Sequence, residues 1–435
     1  MSLSTQPYKG ARDFYPEDKR LQEWIFNKWR NVVESFGYEE YDAPMLEPTE
    51  LYASKTSDEI VNEQTYSFTD RGNRQVTIRT EMTPSVSRMV AGKRQELAYP
   101  LRWYSIPNLW RYERPQRGRL REFWQLNVDL FGIGNLSADF EMIQLSHEIM
   151  KSFGAKPRMY EIHINSRKLV NYLLQGYLGM DEVQASTVIR LVDRLHKMPR
   201  SEFSAKIDAL LTMQQREDRL TERLNTLLHV QSVSELPDVT QSNATVMELT
   251  NLMTLAKQSG ITNVIFDITL MRGFDYYTDI VFEVFDTHTE NNRSMFGGGR
   301  YDGLVAQFGV DPVPTVGFGM GDATLYNFLV LHDLLPSITT NTDVYVALLG
   351  NVYEQALRPI SLLREMELNV AVDSSGRKAE KQIKTADKKG IRYVLFIGDH
   401  ELASEHYKLK DLKTGVEEPH SLERIASIIK DYRRK

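Results

Sequence analysis

The sequence predicts a protein of mixed helix and strand that ends in a small α/β domain. Three observations support this fold class. Apolar residues recur at helical spacing over 21–36, strand patterns occur on both sides of a charged, leucine-rich segment at 166–260, and strands alternate with helices beyond Pro336. The 435 residues are 41% hydrophobic and 26% charged, which is enough for roughly two to four domains with a buried core.

The first predicted helix carries two tryptophans, Trp24 and Trp29, on its apolar face, and Gly37 supplies a C-terminal stop. The next stretch, YEEYDAPMLEP, contains Pro44 and Pro48, which restrict it to an edge strand or an irregular end. Large aromatic side chains on such a helix usually pack in the core of their own chain. The alternative, a dimer interface, stays open at this point.

The middle segment, from about Ser166 to Gly260, is helix-prone and predicts a helical insertion. Strand patterns return in NVIFDITLMRGFDYYTDIVFEVFD, where Gly273 indicates a kink or bulge, and VGFGMG is a glycine-rich strand that feeds a helix. The segment SITTNTD predicts a linker. Beyond it, VYVALLG, NVAVD and YVLFIGD are nearly continuous apolar strands, which favour a mostly parallel sheet, and KLKDLKTG predicts a hairpin.

Composition excludes several classes of site. The chain has no cysteine, so disulfides, thiolate nucleophiles and Cys-ligated metal centres are excluded. No apolar run approaches the ~20 residues of a membrane span, and MSLSTQPYKG lacks the apolar core of a signal peptide, so we expect a cytoplasmic protein without a membrane partner. The net charge of −6 means that nucleic acid would be bound by local patches, and residues 341–435 carry +2.

The segment WRYERPQRGRLREFWQLNVD, residues 110–129, places five arginines between two strand-like runs, with Pro115 and Gly118 as turn residues. The arginines are Arg111, Arg114, Arg117, Arg119 and Arg121. Guanidinium groups bind phosphate bidentately and stay charged, so this hairpin predicts a nucleotide or nucleic-acid ligand. A solvated basic loop is the alternative.

Two other segments carry polar side chains in unusual places. In MRGFDYYTDIVFE, a predicted strand bears Arg272, Asp275, Tyr276 and Tyr277 where a core strand would have aliphatic residues; a solvent-facing edge strand is the alternative. In TIRTEMTPSVSRMV, Glu81 and Thr83 follow a short strand and precede a helix. Glu81 could bind an ammonium group, but Thr83 before Pro84 is also a common way to start and cap a helix.

Other catalytic motifs are absent from the sequence. GGGRYDGL has no lysine after its glycines, so it is not a phosphate loop of the Walker type, and GFGMGD lacks the strand and helix order of a dinucleotide fold. The sequence has no HExxH motif and no paired metal-ligand histidines, so we expect no dedicated metal site. An enzyme with this sequence would act by positioning and charge stabilisation.

Together these segments resemble the class II aminoacyl-tRNA synthetases, most closely the histidyl-tRNA synthetases. The resemblance covers nearly the whole chain. It is carried by KGARDFYPED, RTEMTPSVSR, WRYERPQRGRLREFWQLNVDLFG, RGFDYYT, GGGRYDGL, VGFGMG and the C-terminal α/β domain. RGFDYYT and GGGRYDGL are particular to the histidine enzymes and their paralogues, whereas the arginine hairpin is shared in outline across class II.

The resemblance implies an α+β catalytic domain on an antiparallel sheet, at 1–165 and 261–335. It also implies a helical insertion domain at 166–260 that helps hold the tRNA acceptor arm, and an α/β anticodon-binding domain at 341–435. A homodimer through the first helix and strand is implied as well, which would account for the tryptophan-rich face of that helix better than core packing alone.

The implied activity is the activation of L-histidine with ATP and Mg²⁺ to histidyl-adenylate, followed by transfer of histidine to tRNA(His). The resemblance implies catalytic roles for Arg111 and Arg272 at the α-phosphate. The implied histidine-binding residues are Glu81, Thr83, Arg111, Gln125, Asp129, Arg272, Tyr276 and Tyr277. The implied ATP-binding residues are Arg111, Glu113, Arg119 and Arg121, and Gln116 is expected near the tRNA end.

The sequence departs from the class II pattern at Thr324, where an arginine is usual in the helix after the last glycine-rich strand. We expect Arg119 or Arg121 to replace it at the phosphates. Asp129 stands where some members have glutamate, which shortens the side chain but keeps its charge. The main alternative function is a histidine-sensing paralogue without activity, the regulatory subunit of ATP phosphoribosyltransferase. The complete RGFDYYT segment and the C-terminal domain argue against it, and a general nucleic-acid-binding protein leaves Glu81 and Asp129 unexplained.

Overall fold

A computed structural model describes residues 3–53, 64–116, 118–195, 198–271, 276–291 and 293–433. The chain forms two compact units, Met1–Leu335 and Pro336–Lys435. The strands of the first unit are β1 Glu39–Glu40, β2 Leu46–Pro48, β3 Tyr66–Thr69, β4 Gln75–Ile78, β5 Leu101–Ser105, β6 Asn108–Trp110, β7 Glu122–Phe131, β8 Tyr160–Ser166, β9 Val264–Phe266, β10 Ile280–Asp286, β11 Ser294–Arg300 and β12 Thr315–Gly321.

The helices of the first unit surround its central sheet. They are α1 Pro16–Ser35, α2 Glu50–Ala53, α3 Thr83–Gly92, α4 Leu136–Ser152, α5 Arg167–Asn171, α6 Glu182–Asp193, α7 Arg200–Leu210, α8 Met213–Glu217, α9 Leu220–Leu227, α10 Ala244–Gln258 and α11 Asp322–Leu331. A π-helical turn, Tyr172–Tyr177, follows α5 directly. Of the described helices, none combines the length and the apolar character that crossing a bilayer requires.

The central sheet has the strand order β1-β5-β7-β12-β11-β10-β8-β9, and β6 pairs with β7. Every pairing from β5 to β8 along this order is antiparallel, whereas β1 with β5 and β8 with β9 are parallel. The antiparallel catalytic sheet implied by the resemblance is therefore confirmed, with a parallel strand added at each edge. A second, smaller sheet has the order β2-β4-β3.

Helix α1 packs its aromatic face within its own chain. Trp29 is fully buried and stacks on Phe26 with ring centroids 5.5 Å apart, and Trp24 meets Phe153 edge-on at 5.2 Å. The helix ends at Ser35, and Gly37 shortly after it has a φ of +82°, which is favourable for glycine. Core packing within the chain thus accounts for the burial of Trp29, and a homodimer through the first helix and strand stays a prediction. The helix buries its aromatic face against α4, which lies on the same side of the central sheet.

The helix-rich segment lies within the first unit, and its described residues form α5 to α10 with turns between them. Its apolar side chains, such as Val188, Phe203, Leu224 and Leu249, are buried in the same core as the central sheet. That 166–260 is a domain of its own stays a prediction.

The segment around RGFDYYT differs from the predicted strand. Strand β10 begins only at Ile280, so Tyr276 and Tyr277 precede it on a loop. Arg272, Gly273 and Asp275 lie outside the described residues, and the bulge predicted at Gly273 with them. The prediction of a strand bearing the two tyrosines is wrong, because the strands of this segment are β9 and β10 and both tyrosines lie between them. A register shift does occur in the β10–β11 pair, between Val284 and Phe285.

The second unit is the predicted small α/β fold. Its strands are β13 Val344–Leu348, β14 Val370–Asp373, β15 Tyr393–Ile397, β16 Tyr407–Asp411 and β17 Glu417–His420, in the order β14-β13-β15-β16-β17. Its helices are α12 Tyr353–Glu365, α13 Ala379–Lys388, α14 Asp399–Ser404 and α15 Leu422–Arg433. The pairs of β13 with β14 and β15 are parallel and the hairpin β16–β17 is antiparallel, as the sequence predicts.

Candidate active site

Glycines on the central strands open a cavity on one face of the main sheet. In the β7–β12 pairing, Gly317 lies opposite Asp129 and Gly321 opposite Gln125. A Cβ atom added to Gly317 would lie 2.5 Å from Oδ1 of Asp129, and one added to Gly319 would lie 2.8 Å from Nε2 of Gln125. Any side chain on these two glycines would therefore displace the polar groups opposite. The glycines provide the space in which Asp129 and Gln125 face the cavity.

The cavity has a volume of about 450 Å³. Most of the residues predicted to bind histidine or ATP line it: Glu81, Thr83, Arg111, Glu113, Arg119, Gln125, Asp129, Tyr276 and Tyr277. They come from the start of α3, the arginine hairpin, β7 and the loop before β10. The fold thus brings together three sequence segments that looked unrelated.

Asp129 is a deeply buried acid of the cavity, with 3% of its surface exposed. The Tyr301 hydroxyl donates to its Oδ1, and its Oδ2 has no hydrogen-bond partner among the residues that the structure describes. Burial raises the pKa of Asp129 to about 7, although the hydrogen bond from Tyr301 acts in the opposite direction. This carboxyl group therefore changes charge near neutral pH.

Three tyrosines form the wall beside Asp129. The ring centroids of Tyr276 and Tyr277 are 5.0 Å apart, and those of Tyr276 and Tyr301 are 5.6 Å apart. The Tyr276 hydroxyl donates to Oε2 of Glu81 at 3.3 Å. Burial raises the pKa of both Tyr276 and Tyr277, so these phenols stay protonated at neutral pH and can donate hydrogen bonds.

Glu81 and Thr83 lie side by side at the start of α3. The helix begins at Thr83, as the Thr-Pro sequence predicts, but its N-cap residue is Met82, and no side chain caps it. The capping role that we considered for Thr83 is therefore wrong, because Thr83 is already the first helical residue. Its side chain instead borders the cavity, next to the buried Glu81.

Arg111 lies at the base of the hairpin. Its Nε donates to the Thr80 carbonyl at 3.0 Å, and its guanidinium carbon lies 5.4 Å from the ring centroid of Phe123. These two contacts orient the guanidinium group in the cavity, beside the residues of the α3 start. The strands that flank the hairpin, β6 and β7, pair antiparallel, with Trp110 opposite Glu122, as the sequence predicts.

The outer arginines of the hairpin have different environments. Arg119 lines the cavity, and its Nη1 lies 3.6 Å from a carboxylate oxygen of Glu113. Arg121 does not line the cavity. Its guanidinium donates to the Tyr8 hydroxyl and to the Glu113 carbonyl, both at 3.1 Å, and its guanidinium carbon lies 4.0 Å from the ring centroid of Tyr112. The two arginines proposed as substitutes at the phosphates are thus not equivalent.

Gln116, at the hairpin tip, lines a second cavity of about 1000 Å³ rather than the first. Arg200 of α7 and Arg293 also line this outer cavity, together with Asp193 and Asp267. Arg272, the other predicted catalytic arginine, lies outside the described residues.

A model of the family described as "Histidyl-tRNA synthetase" matches residues 10–324, and a model described as "Anticodon binding domain" matches residues 343–432. The chain belongs to the histidyl-tRNA synthetase family. The resemblance to the histidyl-tRNA synthetases that the sequence motifs indicated is therefore confirmed.

Relatives in this family match over almost the full length. A protein of Leptospira biflexa named histidine–tRNA ligase is 41% identical, over 94% of this chain and 94% of its own length. A histidine–tRNA ligase of Thermoplasma volcanium is 37% identical, over 96% of each chain. The crystal structure of a histidyl-tRNA synthetase from a Nostoc species has the same fold, with a TM-score of 0.82 at 24% identity and full coverage of both chains.

The structure adds two observations to the candidate site, at Tyr301 and at Thr324. Tyr301, within GGGRYDGL, was assigned no role from the sequence, yet its hydroxyl donates a hydrogen bond to Asp129. The sequence feature that could have indicated this role is a tyrosine directly after a strand whose glycines predict an open sheet face. Thr324, in place of the usual arginine, lines both cavities.

Proposed function

We propose that the protein activates L-histidine with ATP and transfers the histidyl group to tRNA(His). The observation that carries the proposal is the single cavity in which a basic group, an acidic group and protonated phenols converge, in a chain of this family. In the first step the histidine carboxylate forms a bond to the α-phosphorus, and the α–β phosphoanhydride bond breaks to release pyrophosphate. In the second step the terminal adenosine hydroxyl of the tRNA forms the ester, AMP leaves and the hydroxyl proton is lost.

Histidine would be held at both of its ends. Glu81 and Thr83 would bind the α-ammonium group, because a buried carboxylate and a hydroxyl oxygen accept its hydrogen bonds. Gln125 would lie near the carboxylate, and Asp129 with Tyr277 would contact the two imidazole nitrogens. A side chain without these nitrogens would offer the buried Asp129 carboxyl group no hydrogen-bond partner in the ligand, which disfavours its binding.

Arg111 would stabilise the charge that grows on the α-phosphate during adenylate formation. Its orientation by Thr80 and Phe123 supports this role, since a guanidinium held in place needs no reorganisation when the charge develops. Arg272 would act beside it. A guanidinium group stays protonated at neutral pH, so neither arginine would act as a base.

Arg119 would bind the outer phosphates of ATP, with Glu113 near the nucleotide. Its position on the cavity wall and the exposure of 58% of its side chain support Arg119 over Arg121. Arg121 is engaged by Tyr8, Tyr112 and the Glu113 carbonyl, which suits a residue that holds the base of the hairpin.

Mg²⁺ would accompany ATP and neutralise its phosphates. Over the described ranges of the chain, no group of three His, Asp or Glu side chains could hold a metal ion. Its ligands would be mostly phosphate oxygens and water, with a contribution from a cavity carboxylate such as Glu113.

tRNA would contact both units. Gln116 on the outer cavity would approach the 3′ end, and the second unit would bind the anticodon. Helix α13 supports the latter role: residues 377–392 contain seven basic and two acidic residues, in a unit whose remainder is acidic overall. Lys381, Lys384 and Lys388 are exposed and share one face of α13, opposite the buried Gln382 and Ala386.

We also propose a cytoplasmic homodimer. It would form through the first helix and the strand after it. Met45 and Leu46 in this stretch expose about half of their surface, as does Phe68 of the same small sheet, which supports an interface there. Light scattering of the purified protein tests the dimer.

Pyrophosphate exchange tests the function. Purified protein is incubated with ATP, Mg²⁺ and labelled pyrophosphate, with each amino acid in turn. We expect exchange with histidine alone, and charging of tRNA(His) in a second assay. The regulatory paralogue would bind histidine without exchange; the relatives named histidine–tRNA ligase over both units do not favour it.

A further inference from the structure

The tip of the arginine hairpin rests on helix α11. Gln116 and Arg119 exchange backbone hydrogen bonds of 3.0 and 2.9 Å across the tip, and Gly118 next to Arg119 has a φ of +76°. A Cβ atom added to Gly118 would lie 3.2 Å from Nδ2 of Asn327 and 3.5 Å from Cγ2 of Thr324. The hairpin backbone therefore approaches α11 so closely that one added methyl group at Gly118 would already be crowded.

Thr324 is oriented for this contact by its own hydrogen bonds. Its hydroxyl oxygen lies 2.9 Å from the Met295 carbonyl and 3.0 Å from the Gly321 carbonyl, and donates to this pair of acceptors. With the hydroxyl turned into the protein, the methyl group Cγ2 faces Gly118. Threonine thus donates to two backbone carbonyls and presents a small apolar surface to the hairpin tip.

The contact lies where the two cavities of the first unit meet. Gly118, Arg119 and Thr324 line both the active-site cavity and the outer cavity. Arg119 directly follows Gly118 along the chain, so the position of the tip decides how far its guanidinium group extends into the active site. There it lies 3.6 Å from the Glu113 carboxylate.

We propose that Thr324 and Asn327 form a seat for the hairpin tip and are positioning residues for Arg119. The proposal rests on the proposed function, in which Arg119 binds the outer phosphates of ATP. A long side chain at position 324 would extend into the space that the tip occupies. A short residue such as threonine at this position is therefore needed for the hairpin tip to pack on α11. Arg119 of the hairpin then enters the active site, where α11 itself provides no arginine.

Two variants unseat the tip without adding charge. Asn327→Ala removes one contact on the surface of α11, and Thr324→Met places a long side chain under Gly118. Each should raise the KM for ATP in histidine-dependent pyrophosphate exchange about fivefold and leave the KM for histidine within about twofold, because Arg119 would contact only ATP. Tyr326→Ala is the matched control, since Tyr326 is exposed on the same helix and lines neither cavity.

A measurement without substrates accompanies the kinetics. The amide protons of Gln116 and Arg119 close the tip, so hydrogen–deuterium exchange reports its opening directly. In Asn327→Ala and Thr324→Met their exchange should be about tenfold faster than in the parent protein, and unchanged in Tyr326→Ala.

A double-mutant cycle shows whether the seat acts through Arg119. If it does, Asn327→Ala combined with Arg119→Ala should raise the KM for ATP no further than Arg119→Ala alone. Three results would each overturn the proposal that Thr324 and Asn327 position Arg119. These are full additivity of Asn327→Ala and Arg119→Ala in the KM for ATP, an equal rise in the KM for histidine, and unchanged amide exchange at the tip in the two seat variants. Absence of histidine-dependent exchange in the parent protein would instead overturn the proposed function, and the amide exchange would still test the seat.

Discussion

At the scale of single residues, the cavity depends on groups whose ordinary properties burial has changed. Asp129 has a pKa of about 7 because it is buried among tyrosine rings, and its Oδ1 accepts from Tyr301. Since the pKa of an exposed aspartate is 3.8, the folded state binds more protons than the unfolded chain between about pH 4 and 7. The contribution of Asp129 to stability therefore falls as the pH rises through this range, which indicates that the residue serves binding rather than folding.

The ionisation of Asp129 should appear in histidine binding. As the pH rises from 6 to about 8, Asp129 loses its proton and becomes a better acceptor for an imidazole N–H, so the KM for histidine should fall about tenfold. Asp129→Asn cannot ionise and should show only the part of the pH dependence that comes from histidine itself. The two KM profiles are compared by pyrophosphate exchange; parallel profiles would exclude Asp129 as the titrating group.

Gly319 offers a test of the open sheet face. Gly319→Ala would place a Cβ 2.8 Å from the flexible end of Gln125, so Gln125 should move while the strand stays intact. We expect the KM for histidine to rise about tenfold, with a change in melting temperature of no more than about 2 °C. Gly92→Ala is the control, because nothing lies within 4 Å of the added atom. A tenfold rise in the KM for histidine in both variants would refute the idea that the added atom acts by displacing Gln125.

At the scale of elements, charge is distributed unevenly over the second unit. Helix α13 has its buried residues on one side and exposed lysines on the other. Of these lysines, only Lys384 forms an ion pair in the described part of the chain, with Glu380 at 2.8 Å. A row of ammonium groups at helical spacing suits the phosphates of a nucleic acid backbone.

The lysine face should contribute to tRNA affinity without base specificity. The triple variant Lys381→Gln, Lys384→Gln, Lys388→Gln should weaken tRNA binding at least tenfold and reduce the slope of log affinity against log salt by about two to three. Filter binding at several salt concentrations measures both quantities. The triple variant Lys408→Gln, Lys410→Gln, Lys413→Gln, on the β16–β17 hairpin of the same unit, is the charge-matched control. An equal loss in both variants would indicate a general charge effect rather than a binding face.

At the scale of the whole molecule, two units have separate apolar cores. The core of the first unit includes Trp29 and Leu126, and that of the second includes Val346 and Ile425. All the described residues of the candidate active site belong to the first unit. Adenylate formation should therefore be insensitive to damage in the core of the second unit.

Ile425→Ala tests this separation. Ile425 is fully buried, so its truncation should destabilise the second unit by about 2–5 kcal/mol. Histidine-dependent pyrophosphate exchange at 25 °C should stay within about twofold of the parent value, while charging of tRNA falls. Val416→Ala, at an exposed position of the same unit, should change neither. Loss of exchange in proportion to stability would show that the units are energetically coupled.

Local patterns in the sequence were sufficient for much of the fold. The helical spacing of Leu21 to Phe36, the apolar strands of the second unit and the turn residues of the hairpin each predict an element that the structure contains. These signals are local, since a helix or a strand pair over a few residues is specified by side chains near one another in the chain. The motifs also identified the family, and most of the histidine- and ATP-binding residues predicted from them line the cavity.

Only the tertiary structure decided which of these elements contact one another and which side chains their contacts bury. It buries the aromatic face of α1 in its own chain, turns Arg121 away from the cavity and seats Gly118 on Thr324. It also places Tyr301 on Asp129, which lies 172 positions away in the chain. The physical reason is that burial, pKa and packing depend on neighbours distant in sequence, and no local pattern specifies which those neighbours are.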